Sequence, residues 1–183
     1  ISIFDHNINN ITPSNYEQDS SQETMRSTMY NKEQFYPLIS NLFNLLGFTC
    51  VCSRAGDNYQ RWDAIIIDES ASIPVEIKSP GEEESISVKA IRQAFENKII
   101  LLARKQYQTN YSTSSLAVGY NLPNERSEVD TLIRDIYNVF TIRIGVIDIK
   151  SLVYVVLAKC LWSASIDLKD IRNLHGFIRI DYL

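Results

Sequence analysis

Three side chains in this 183-residue sequence have types and spacing suited to hydrolytic chemistry: Asp63, Glu76 and Lys78. They stand in two apolar runs, Trp62-Asp63-Ala64-Ile65-Ile66-Ile67 and Val75-Glu76-Ile77-Lys78. Glu76 and Lys78 are two residues apart in a β-rich run, so both leave a strand on one face. Placing a carboxylate and an ammonium in an apolar strand is costly unless they pair or bind something. The runs at 61–68 and 73–78 are joined by Glu69-Ser70-Ala71-Ser72, which predicts an antiparallel hairpin. A turn centred on that link sets Asp63 opposite residues 76–78 on the same face. Two carboxylates and a lysine then converge at the edge of a rigid sheet. The plain alternative is a solvated ion triad; the isoleucine-rich flanks favour the chemical reading.

That grouping suits a hard divalent cation. Mg²⁺ takes oxygen ligands and commonly uses one or two carboxylates together with substrate phosphate. Asp63 and Glu76 are the candidate ligands, with the main-chain oxygen of Ile77 as a further one. Lys78 would orient a water or offset charge developing on phosphoryl oxygens.

The elements that must position these groups follow from periodicity. Phe35, Leu38, Ile39, Leu42, Leu45 and Leu46 mark one buried helical face over 31–46, ended by Gly47. Residues 48–53 read as a strand and 54–58 as a turn. After the hairpin, Ser79-Pro80-Gly81 breaks the second strand, and Glu82, Glu83 and Glu84 form an acidic stretch. A helix is expected over 87–105, a strand over 116–121, a helix over 126–140, a strand over 142–148 and an apolar helix over 150–163. The tail from 167 onward is mixed. This order predicts an α/β fold with a mixed central sheet flanked by helices. Residues 1–30 are polar and read as an arm, so residues 31–183 would form a single domain.

Composition narrows the function. The net charge is −4, whereas proteins that grip duplex DNA unaided are usually basic. Any activity on DNA would therefore borrow affinity from a partner. The cysteines Cys50, Cys52 and Cys160 make neither a disulfide framework nor a zinc set, and are expected as core or half-buried thiols. His6 and His175 are isolated, and no glycine-rich phosphate loop occurs. No apolar run approaches a bilayer span, and the N-terminus lacks the pattern of a secretory signal, so a cytoplasmic protein without membrane contact is expected.

The set Asp63, Glu76 and Lys78, with the two acids 13 positions apart, resembles the PD-(D/E)XK nuclease superfamily. Ser79-Pro80 and the helix bearing Arg92, Gln93, Glu96, Asn97 and Lys98 also fit that group, and the likeness spans roughly 33–121. It implies a restriction-endonuclease-like fold, Mg²⁺ as cofactor and duplex DNA as substrate. More narrowly, the chain resembles the small catalytic subunit of a heterodimeric type IIS restriction endonuclease, an arrangement of bacterial restriction systems. That likeness implies a larger subunit, itself a nickase, which reads the site while this chain cuts the second strand. Trp62 stands where the superfamily usually has Pro. Members often place a Glu on the first helix facing the metal; here spacing offers Tyr36, with Glu33 one turn earlier as the candidate ligand. The resemblance also sets Gln93 and Glu96 at the border of the site. Two other readings stay open: a self-sufficient homodimeric nuclease acting on DNA structure or damage, and a non-catalytic interaction subunit. The helices at 126–140 and 150–163 are the places to look for a subunit interface.

Overall fold

In the computed structural model, residues 31–53, 60–162 and 164–179 are described. The polar arm over 1–30 and the turn at 54–58 lie outside them.

Helix α1 (Lys32–Leu45) starts on Asn31, whose side chain accepts from Glu33 N, and buries Phe35, Ile39, Leu42 and Phe43. Gly47 follows it at φ +85°, the left-handed geometry glycine adopts at no steric cost. Strands β1 (Thr49–Cys52), β2 (Ala64–Ile67) and β3 (Ile73–Lys78) then run antiparallel to one another in turn. Helix α2 (Val88–Arg104), capped by Ser87, leads to β4 (Ser115–Gly119). Helix α3 (Val129–Phe140) leads to β5 (Ile144–Asp148). Helix α4 (Ile149–Trp162) and the short α5 (Leu168–Arg172) lead to β6 (Gly176–Ile178).

Among the described residues the sheet has six strands in sequence order, antiparallel from β1 to β3 and parallel from β3 to β6. It is thus the mixed sheet that the element order predicts. One face carries Ala64, Ile66, Val75, Ile77, Leu116 and Val118 against Phe35 and Ile39 of α1 and Leu152 and Val156 of α4. The other carries Ala117, Ile144 and Val146 against Ala90, Ile91 and Ala94 of α2 and Ile133 and Ile136 of α3. Alanines 90 and 94 let α2 lie close to the sheet, where Ser115 Oγ donates to Ala94 O at 2.7 Å.

Several boundaries differ from expectation. The first hairpin strand begins at Ala64 rather than near 61, because Trp62 turns into a separate cluster with Ile65 and Leu101. The carboxylate of Asp63 then takes the N–H of Ile77, a donor that the strand ladder would otherwise use. The tail resolves into α5, with a capping box between Asp167 and Asp170, and the edge strand β6. Cys50 is buried and Cys52 half-buried, but Cys160 is exposed on α4, outside the expected range. Helix α4 is one-sided: it buries Leu152 and Val156 and exposes Leu157, Leu161 and Trp162. Among the described residues, no helix is long and apolar enough to cross a membrane.

Candidate active site

The register of the hairpin decides what Asp63 meets. Ala64 pairs with Val75 and Ile65 with Pro74, so continuing the ladder by one residue sets Asp63 across from Glu76. Asp63 is fixed at both ends. Its carbonyl accepts from Ser53 N at 2.8 Å, and its Oδ2 accepts from Ile77 N at 2.8 Å. The preceding Trp62, 1% exposed, anchors the backbone in the core. The N–H and C=O of one extended residue leave on the same side of a strand, so the carbonyl of Ile77 also faces the Asp63 edge.

Glu76 and Lys78 sit on the sheet face covered by α2, and both are buried, at 3% and 7% exposure. Lys78 Nζ lies 2.7 Å from Glu76 Oε1. Asn97, from the middle of α2, donates to Glu76 Oε2 at 2.7 Å. Both Glu76 oxygens are thus engaged, and the Asp63 carboxyl shares a side-chain hydrogen bond with Glu76.

Crowding two acids here has an electrostatic consequence. Burial and the neighbouring Glu76 push the Asp63 carboxyl up to about 7, against the Ile77 N–H and Lys78, which favour its ionised form. Burial also raises Glu76, with Lys78 and Asn97 opposing. Burial alone would lower Lys78, but its hydrogen bond to Glu76 and the charges of Glu76, Asp63 and Glu82 outweigh it and raise it. Lys78 is therefore an ammonium at neutral pH: a donor and a fixed positive charge rather than a base.

Two further side chains reach this cluster. Tyr36 of α1 donates to Glu82, at 3.2 Å to Oε1 and 3.0 Å to Oε2. Burial and the charges of Asp63, Glu82 and Glu76 hold the Tyr36 phenol well above its ordinary range. Glu82, in the turn after β3, also accepts from Ser79 N and Ser79 Oγ, and these bonds with the Lys78 charge lower it despite partial burial.

The structure thus brings Asp63, Glu76, Lys78 and the Ile77 main chain together. Glu33 does not join them: it is exposed in the first turn of α1, where an acid meets the helix dipole. The first-helix side chain that points toward these acids is Tyr36, and the charges that weigh most on Asp63 are those of Glu76, Lys78 and Glu82. On α2, Glu96 is exposed and the neighbouring Asn97 is the one that reaches Glu76. Gln93 lies one turn before Asn97, half-buried, with its Oε1 buried and without a hydrogen-bond partner. Asn97 was legible as a polar residue on the buried Ala90–Ala94 stripe, and Glu82 as the fourth residue of Ser79-Pro80-Gly81-Glu82.

No family model matches the chain, and no curated protein matches it. Among solved structures, it resembles the restriction endonuclease FokI bound to DNA, with a TM-score of 0.56, 11% identity and 93% of this chain covered. The chain spans about a third (34%) of that protein's length. The fold of this chain is therefore restriction-endonuclease-like, a mixed α/β sheet flanked by helices.

Proposed function

We propose that this chain is a Mg²⁺-dependent endonuclease subunit that hydrolyses phosphodiester bonds of DNA. On this reading it cuts one strand of a duplex while a larger subunit reads the site and nicks the other. The observation that carries the proposal is the convergence of Asp63, Glu76 and Lys78 on the β2–β3 pair, with a half-buried and a buried acid facing each other beside one ammonium. Proteins do not gather that arrangement for stability, since buried ion sets are at best neutral against apolar replacements. The likeness to a restriction endonuclease solved with DNA supports the substrate class.

The donor set fits a hard cation. Every candidate ligand is oxygen, and the rise of Asp63 to about 7 is the behaviour expected where two acids lack a positive charge between them. Among the described residues no group of three His, Cys, Asp or Glu is gathered to hold a metal; Mg²⁺ commonly uses one or two carboxylates plus substrate phosphate. Asp63, Glu76 and the main-chain oxygen of Ile77 would hold it. A bound Mg²⁺ supplies Lewis-acid polarisation of the phosphate and lowers the pKa of a water. Asn97 keeps the Glu76 carboxylate from rotating. Lys78, charged and fixed, donates to a non-bridging phosphate oxygen or to the attacking water and offsets charge in the transition state.

Partner dependence rests on the net charge of −4, since proteins that grip duplex DNA unaided are usually basic. Supercoiled plasmid with Mg²⁺ tests the proposal, using wild type and Asp63→Ala, each alone and mixed with a candidate large subunit. Double-strand breaks from the wild-type mixture, with the mutant mixture stopping at nicks, are expected. Equal cutting by Asp63→Ala would remove the assigned site. Robust site-specific cutting by the chain alone would remove the partner.

A further inference from the structure

The turn after β3 closes on Glu82. Glu82 N and Glu83 N donate to Ser79 O at 2.9 and 3.0 Å, while the Glu82 carboxylate reaches back to Ser79 N at 3.1 Å and Ser79 Oγ at 2.9 Å. The bond from Ser79 N to the Glu82 carboxylate is one half of a Ser-x-x-Glu capping box, and with Ser79 Oγ donating to the same carboxylate the local turn accounts for Ser79. It leaves Tyr36 unexplained. That phenol arrives from another element, 46 residues away in sequence, and donates to the same carboxylate.

Three donors from two elements thus converge on Glu82 Oε2: Ser79 N, Ser79 Oγ and Tyr36 OH. The Lys78 ammonium acts on the same group. Amide and hydroxyl donors meeting at one anionic group beside a fixed cation are the donor set that holds a phosphate. Glu82 is not arranged as a third metal ligand, because no such group of three acids occurs among the described residues. It is an exposed residue that leads into the acidic pair Glu83 and Glu84, whereas the neighbouring Lys78 is buried.

We propose that Tyr36 and Ser79 form a phosphate subsite of this centre, and that the Glu82 carboxylate fills it in the free protein. The proposal rests on the nuclease reading above, and the ligand is a backbone phosphate of duplex DNA. Docking turns Glu82 out of the subsite and transfers its donors to the phosphate. The acid then works as a plug that the unaided chain displaces poorly.

The test is duplex affinity of the full chain, measured by fluorescence anisotropy with a short labelled duplex at low salt, with Ca²⁺ replacing Mg²⁺ to hold off cleavage. Glu82→Gln keeps an acceptor for Ser79 while removing the charge. It should tighten binding about tenfold, since a like charge facing a phosphate is lost. Glu84→Gln makes the same change of net charge in the same loop and should shift binding by about twofold or less. In a Tyr36→Phe background the Glu82→Gln gain should disappear. Thermal melts identify any variant that fails to fold, in which case Tyr36→His replaces Tyr36→Phe. Equal gains for Glu82→Gln and Glu84→Gln, persistence of the gain in Tyr36→Phe, or no binding by any variant each overturns the subsite. Plasmid cleavage by Asp63→Ala separates the two claims. If that variant is inactive while Glu82→Gln behaves like Glu84→Gln, the subsite alone falls. If it cuts like wild type, the nuclease reading falls and takes the subsite with it.

Discussion

Two lysines are buried among the described residues, and their surroundings differ in kind. Lys78, 7% exposed, lies 2.7 Å from Glu76 and is held in its charged form. Lys98, one residue past the Asn97 that holds Glu76, is 0% exposed and donates to the hydroxyl of Thr109 at 2.7 Å. Burial brings Lys98 down to about 7. Thr109 donates in turn to Ser72 O at 3.0 Å, and Ser72 N donates to Gln108 O at 2.7 Å, so Lys98 helps tie the loop after α2 to the link between β2 and β3. The same residue type is a fixed charge in one place and a near-neutral strut in the other. What separates them is the presence of carboxylates: Glu76, Asp63 and Glu82 act on Lys78, and burial alone on Lys98.

The comparison is sharpest in activity. Lys78→Ala should lower metal-dependent cleavage by about 10²–10⁴-fold, the range for removing a group that stabilises transition-state charge or moves a proton. Lys98→Met should stay within about fivefold of wild type in the same assay, as expected of a site away from the reacting groups. Equal losses would end the distinction.

Stability gives the second contrast. Without added metal, Lys78→Met leaves Glu76 buried with no cation and should cost on the order of 3–5 kcal/mol at pH 8 in urea unfolding. Glu76 is already raised in the folded protein, and losing Lys78 raises it further. The loss should therefore grow as pH rises and shrink as acid protonates Glu76. Added Mg²⁺ should restore part of it; a penalty indifferent to pH and metal would contradict the assigned ion pair.

Lys98 carries the opposite sign. Its folded value of about 7 lies below the unfolded value of 10.5. The unfolded chain therefore binds more protons between these two values, and stability rises with pH across that window. At pH 6 the wild type bears the full cost of a charge with a hydroxyl as its partner. Lys98→Met should therefore stabilise the protein there by on the order of 1–3 kcal/mol, and the advantage should fade by about pH 10. Destabilisation at pH 6 would mean that the hydrogen bond to Thr109 outweighs the buried charge. The smallest effect is expected from Thr109→Val, about 1 kcal/mol at neutral pH from the loss of one partner of a buried donor.

Much of the candidate site's geometry was legible before the fold. Glu76 and Lys78 share a face because strands alternate, and the short link at 69–72 fixes Asp63 opposite them; the observed register agrees. Contacts that cross elements were not legible. Tyr36 meets Glu82 through the packing of α1 on the sheet, and no local pattern encodes that meeting, although Ser79-Pro80-Gly81-Glu82 carries the turn. Lys98 reads in sequence as one more polar residue on the α2 surface. Its burial comes from residues 105–114 folding back over the helix, anchored at Ser72. The tail's α5 and β6 are too short for periodicity to speak. Their place is set by Ser114 Oγ, which donates to Arg172 O and Leu174 O, and by pairing of Gly176 with Gly145.

The claim at the centre of this account is that Asp63 and Glu76 jointly hold a divalent cation. It is tested most directly by titrating the isolated 183-residue chain with Mg²⁺ in a calorimeter, at pH 6 and pH 8, for wild type and Asp63→Asn. Because Asp63 sits at about 7 before an ion arrives, binding should displace its proton and affinity should be stronger at pH 8 than at pH 6. Asp63→Asn should bind at least about tenfold more weakly and lose the proton release. Equal binding by the two proteins, or a wild-type affinity indifferent to pH, would contradict it.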